Sequence, residues 1–288
     1  MLFVGAGFSK ECLNIEGSSP PLASELSKKI GRLIIEGIGE YLEEGEVKEI
    51  EENENLMFTS DLYLNTFEDK SPLINLLKRN FTIIKSPDSN INICKIRWRR
   101  IYTTNYDNAI ESCLAAASKT VTSLDLSDSP NLYRDARDVC LHINGKLDKL
   151  NTTDFNDRIK LSTSSYVSPD QFLESAWSNQ FRRDIENCSA IVFVGYSMYD
   201  IDIKKILFAN PHLVNKTFFI TRPEATFESI YNLKAYGEVL KIGVSGFGEL
   251  IKDCIELSNA ENSLDITFSL EKYNEELDGD SYEIRDLG

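Results

Sequence analysis

The chain has 288 residues, 42% hydrophobic and 27% charged, which suits a globular protein with one large α/β domain or two modest ones. Its 46 acidic and 31 basic side chains leave a formal net charge of −15, a surface that repels phosphate backbones and argues against nucleic acid as a partner. No run of about eighteen apolar residues offers a membrane-spanning helix, and no signal peptide is read at the N-terminus.

In chain order, Met1 to Val4 is a short apolar run that reads as a strand cut off by the chain start, and it leads into GAGFS at residues 5–9. Residues 22–37, LASELSKKIGRLIIEG, place apolar side chains at helical spacing and predict an amphipathic helix. From about 39 to 97 the pattern is mostly helical and polar, and the acidic run EEGEVKEIEENENL within it reads as a solvated helix face. Five further strands are predicted at Arg100–Thr103, Val139–Ile143, Ile191–Val194, Thr217–Thr221 and Val239–Ile242. Helical patterns fall at 107–117, 169–188, 224–235 and 247–257, the second with Ser168 as cap and Pro169 at its first position. Strands alternating with helices predict an α/β fold with a mainly parallel sheet and helices on both faces. The last thirty residues, 259–288, are dense in acids and read as a tail or a linker toward a further domain.

Six cysteines stand at positions 12, 94, 113, 140, 188 and 254, and none forms a C-x-x-C pair. Isolated thiols of this kind predict small buried hydrophobes in a reducing compartment, so a cytoplasmic protein without a metal is expected.

Open parallel sheets bind ligands beyond the carboxyl ends of their strands, near the point where strand order reverses. Four apolar runs here end in GAGFS, TTNYD, HINGKLD and GYSMYD, endings that are small, polar or capable of catalysis, and they are expected to converge on one pocket. In the first, Gly5 and Gly7 permit a tight turn and close backbone approach to a phosphate, although the third glycine of G-x-G-x-x-G is missing. TTNYD reads in two ways. It is a capping box with Thr104 as cap and Asp107 at the third position, or a site in which the Asn105 amide orients a water or a sugar hydroxyl. His142 is either a satisfied core histidine or, with NGKLD behind it, a general base near neutral pH. His212 reads as a surface loop residue. Gly195 and Ser197 suit phosphate or ribose contacts, and Asp200 and Asp202 either join them or cap the next helix.

The four motifs, in this order, resemble the signature of sirtuin-like (silent information regulator) domains. More narrowly, they resemble the bacterial branch found in anti-phage defence proteins that destroy NAD. NLKAYGEVLKIG at 232–243 resembles the closing strand of that family, so the likeness spans about 250 residues. It implies a Rossmann-like domain over 1–258 that binds NAD as substrate, with a smaller helical insertion at about 20–97. The family's catalytic asparagine and histidine fall on Asn105 and His142, and Asp107 on its contact to the nicotinamide side. Gly5, Ala6, Gly7, Phe8 and Ser9 then hold the pyrophosphate, Gly195 and Ser197 line the adenosine half, and Thr104 and Asp200 complete the binding set.

Two departures from the family bear on chemistry. The paired C-x-x-C elements of the structural zinc ribbon in protein-deacylating sirtuins are absent, and KECLNIEG stands where deacylases carry an IPDFR-type segment. Both argue against acyl-lysine chemistry and leave NAD cleavage untouched. The resemblance therefore implies an NAD glycohydrolase that releases nicotinamide and ADP-ribose, depleting NAD in anti-phage defence (abortive infection). In that reading Asn105 orients the water or a ribose hydroxyl and His142 takes a proton. The alternatives are a catalytically silent NAD or ADP-ribose sensor, an NAD-dependent protein deacylase, and a nucleotide-dependent α/β enzyme of other chemistry. By the same resemblance the expected partners are further copies of the chain, or a regulatory or sensor protein or domain joined through the acidic tail.

Overall fold

The computed structural model describes residues 1–261 except 135, 137, 154, 156–158, 164–170 and 199. The expected cap at Ser168 and Pro169, and the acidic tail from 262 onward, lie outside the described residues. The chain opens with β1 (Leu2–Val4) and the single turn α1 (Ala6–Ser9). The insertion follows, with β2 (Leu13–Asn14), α2 (Ala23–Ile38), α3 (Glu44–Glu52), α4 (Leu56–Thr66), α5 (Ser71–Phe81), β3 (Ile83–Lys85) and α6 (Asp88–Lys95). Beyond it come β4 (Ile101–Thr103), α7 (Ala109–Ala116), β5 (Thr122–Asp125), β6 (Val139–His142), α8 (Gln171–Glu174) and α9 (Ala176–Asn187). The last part is β7 (Ile191–Val194), α10 (Ile201–Phe208), β8 (Thr217–Ile220), α11 (Phe227–Lys234), β9 (Glu238–Leu240) and α12 (Gly243–Glu261).

Seven strands form one sheet in the order β5-β6-β4-β1-β7-β8-β9, every pair parallel, and β2 pairs antiparallel with β3 in a separate two-stranded sheet. This is a Rossmann-like α/β fold. The alternation along each strand sorts the core into two layers. Leu2, Val4, Ile101, Cys140, Val192 and Val194 face α6, α7 and α12 through Ile93, Ile110 and Phe247. Phe3, Tyr102, Leu141 and Phe193 face α9, α10 and α11 through Phe181, Ile206 and Leu233. A third core lies in the insertion, where Leu26, Ile30, Tyr63, Leu77 and Phe81 pack together with Leu147, Phe155 and Leu161 from the segment after β6.

Local chemistry sets several helix starts. Asn55, Ser175, Asp200 and Thr226 each accept a backbone N–H of the following first turn, the usual role of short polar side chains there. At α2 the Glu25 carboxylate accepts the Leu22 N–H at 2.9 Å. β5 and the β2–β3 pair are strands that the sequence pattern did not predict. No described helix is long and apolar enough to cross a membrane.

Candidate active site

From β1 the chain runs one way through β4 to β5 and β6, and from β7 it runs the other way to β9, so the order reverses beside β1. The strand ends there are level: Val4 is in register with Thr103 and with Val194, and Thr103 with His142. The turns after these strands are therefore brought to one edge, as the sequence predicts.

Two of the turns lock together. Gly7 N–H donates to the Gly195 carbonyl at 2.9 Å, and Gly5 N–H to the Val194 carbonyl at 3.1 Å. Gly195 has φ of +61°, and a Cβ added to it would stand 2.4 Å from the Phe8 nitrogen; a Cβ on Gly7 would stand 2.8 Å from Gly195 Cα. Only glycine admits both the left-handed turn and this approach.

Asn105 is buried beside this turn. Its Nδ2 donates to the Gly5 carbonyl at 3.0 Å and to Ser9 Oγ at 3.1 Å, and its backbone N–H donates to Thr103 Oγ1 at 3.0 Å. Both amide hydrogens are thereby used, and Oδ1 has no hydrogen-bond partner among the described residues. Asp107 is 6% exposed, and its Oδ1 accepts the Ala109 N–H at 3.0 Å. Burial pushes its carboxyl up to about 6, against the opposing pull of a hydrogen bond from Ser9.

The capping-box reading of TTNYD does not hold. α7 starts at Ala109, so Asp107 forms a local turn ahead of it, and the Thr104 carbonyl accepts the Asn144 amide at 3.1 Å. Asn108 occupies the cap position but turns its side chain away, accepting the Ile83 N–H at 2.6 Å.

A cavity of about 510 Å³ opens above the glycine turn, a size that suits a small-molecule ligand. Of the residues expected there, Ala6, Gly7, Ser9, Thr104, Asn105, Asp107, Gly195, Ser197 and Asp200 line it. Gly5 and Phe8 do not. Gly5 contributes its carbonyl from behind, and the Phe8 side chain, 1% exposed, belongs to the core below the sheet end. Asp200 lines the cavity while also capping α10. Asn144 is an addition that its turn position after β6 could have signalled.

His142 faces a second cavity of about 330 Å³, which shares Phe81, Tyr106 and Asp107 with the first. The four strand ends thus serve two adjoining chambers, not one pocket. His142 Nδ1 lies 2.9 Å from the Asn105 carbonyl oxygen and must donate to it, because a carbonyl only accepts. Its Nε2 lies 2.8 Å from Glu111 Oε1. Burial works against charge on His142, but Glu111 overrides it and holds the imidazole well above its ordinary value. Burial likewise opposes the Glu111 carboxylate, yet His142 and Ser123 bring it down to about 2. An imidazolium with both nitrogens engaged is not the free general base expected of His142. Glu111, on the first turn of a helix, carried no signal in the sequence for this partnership.

Fold and site together define an α/β domain of the Rossmann-like type with a cavity at the point where its strand order reverses. Residues 99–237 match the family model described as a SIR2-like domain, which supports a sirtuin-like domain over that span. That family is typically NAD-utilising, which ties the chain to NAD-related activity. The matched span holds Asn105, His142 and Gly195, while the GAGFS turn lies before it. No curated protein matches the chain.

Proposed function

We propose that the chain is an NAD glycohydrolase that cleaves the bond between nicotinamide and ribose, yielding nicotinamide, ADP-ribose and a proton. One observation carries the reading. The Asn105 amide is fixed by Gly5 and Ser9 so that Oδ1 is left as an acceptor, beside the buried Asp107 carboxylate and above a glycine turn open to a dinucleotide.

The nicotinamide of NAD is cationic, and it leaves with the bonding electron pair as a neutral molecule without needing a general acid. What remains to be supplied is stabilisation of an oxocarbenium-like ribose and a positioned water. Asn105 Oδ1 accepts from that water or from a ribose hydroxyl. Asp107, on the wall common to both cavities, offers negative charge to the developing cation. With a pKa of about 6 it is also ionised at neutral pH and placed to take the proton of the attacking water. His142 acts here as a positioning residue: it holds the Asn105 carbonyl, and Glu111 keeps it charged. Cytoplasmic NAD depletion in anti-phage defence, with control by further copies of the chain or a sensor partner, completes the proposal and rests on the motif resemblance.

Incubating the purified chain with NAD and resolving nicotinamide and ADP-ribose by chromatography tests this reading. Release by the wild type is expected, slowed about 10²–10³-fold in Asn105→Ala, the usual loss for one preorganised polar contact. NAD binding without turnover would replace the hydrolase with a sensor, and release only in the presence of an acylated peptide would replace it with a deacylase.

A further inference from the structure

Behind the second cavity, Cys140 and His142 sit two residues apart on β6 and therefore on one face of the strand. Cys140 Sγ lies 3.8 Å from His142 Nε2, and Glu111 Oε1 lies 2.8 Å from the same nitrogen. One ligand atom from each of the three residues falls within 4.8 Å of the others. The His142 Nδ1–H donation to the Asn105 carbonyl directs Nε2 toward the cluster, the kind of backbone contact that orients metal-binding imidazoles. Glu111 adds an unexplained feature: its Oε2 is buried and has no hydrogen-bond partner among the described residues. A carboxylate oxygen withdrawn from water and unpaired is a place for a cation.

We propose that Glu111, Cys140 and His142 form a three-ligand site for zinc or a similar divalent ion, with the fourth position open to the second cavity. The donor set is one carboxylate oxygen, one thiolate sulfur and one imidazole nitrogen, which suits zinc better than magnesium or calcium. Zinc bond lengths with tetrahedral angles place sulfur and nitrogen roughly 3.6 Å apart and oxygen and nitrogen roughly 3.4 Å apart. The pair holding Cys140 is already near that separation. The Glu111 contact needs to open by about 0.6 Å, which a rotation of a flexible carboxylate supplies. Binding displaces the thiol proton of Cys140 and the proton shared by His142 and Glu111.

The ion would be regulatory. The two released protons leave the net charge of the cluster unchanged. What changes is that His142 passes from Glu111 to the ion, and the imidazole that holds the Asn105 carbonyl is repositioned, so binding would suppress nicotinamide release. That inhibition rests on the proposed hydrolase activity; binding of the metal does not.

The first measurement is therefore spectroscopic. The purified full chain, stripped with a chelator, is titrated with Co²⁺ and then with Zn²⁺. One equivalent of cobalt is expected, with a thiolate-to-cobalt charge-transfer band and the visible bands of a four-coordinate ion, all displaced by zinc. In Cys140→Ser the charge-transfer band should vanish. In Glu111→Gln, which keeps the thiol, affinity should drop at least tenfold. Absence of saturable binding, a charge-transfer band that survives in Cys140→Ser, or unchanged affinity in Glu111→Gln would each overturn the site. If zinc binds as described and NAD turnover is unaffected, the regulatory role falls and the metal site stands.

Discussion

At the scale of single residues, Asp107 is held under tension that can be measured. Its carboxyl titrates at about 6 in the fold, against an ordinary value of 3.8, because burial disfavours the charge. Between those two values the native state holds the proton that the unfolded state has lost, so stability falls as pH rises through this window. Above about pH 6 the full penalty is present, and below about pH 4 it disappears. Asp107→Asn keeps an oxygen for the Ala109 N–H and removes the buried charge. Thermal melts across this range should show the variant more stable by about 1–3 kcal/mol at pH 7–8 and equal to the wild type near pH 4. Nicotinamide release should show the reverse. In the wild type it should rise with pH through about 6, and in the variant it should be low with that rise gone. A variant destabilised equally at every pH would mean that Asp107 serves only the turn before α7.

At the scale of elements, the site depends on two turns that fit face to face. Gly195→Ala adds a Cβ 2.4 Å from the Phe8 nitrogen and forces alanine into φ of +61°. Gly7→Ala brings its Cβ to 2.8 Å from Gly195 Cα without a left-handed φ of its own. Both should weaken NAD binding, and Gly195→Ala should lose more stability, by about 1–2 kcal/mol for the left-handed residue alone. Chemical denaturation of the two variants, with NAD titrations, checks the order. The opposite sheet end has its own fixed point. Arg100 Nε donates to Asp184 Oδ2 at 2.6 Å, Tyr102 donates to the same oxygen at 2.7 Å and Gln180 donates to Oδ1 at 3.0 Å, all buried between β4 and α9. Asp184→Ala leaves the Arg100 guanidinium uncompensated, and a loss of about 3–5 kcal/mol is expected in the same denaturation assay. The apolar runs of β1, β4, β6, β7 and β8 were legible in the sequence because strands buried on both faces read as continuous hydrophobic segments. β5 was not, since Thr122 and Ser123 of an edge strand are polar and only Leu124 and Asp125 are buried. The pairing of His142 with Glu111 was hidden for another reason: it joins a strand end to a helix 31 residues away, and no local period encodes it.

At the scale of the molecule, the insertion acts as the roof of the first cavity and the sheet end as its floor. Pro20, Pro21 and Leu22, leading into α2, line the cavity opposite Gly7 and Asn105, while Phe81 at the end of α5 borders both cavities. The roof has its own core, and the segment after β6 is packed into it through Leu147, Phe155 and Leu161. A ligand in the cavity therefore touches two separately packed bodies, and its binding should tie them together. ADP-ribose, which lacks the bond to be cleaved, makes the test free of turnover. At about 100 times its Kd it should raise overall stability by about 2.7 kcal/mol. Amide exchange should separate this global effect from local closure, because surface segments open without global unfolding. Slower exchange is expected at residues 22–26 of the roof together with 104–107 and 195–197 of the floor, and no change in α3, which lines neither cavity. Protection confined to the floor would show that the insertion packs beside the ligand without closing on it. The roof would then have to be assigned to something other than holding the dinucleotide.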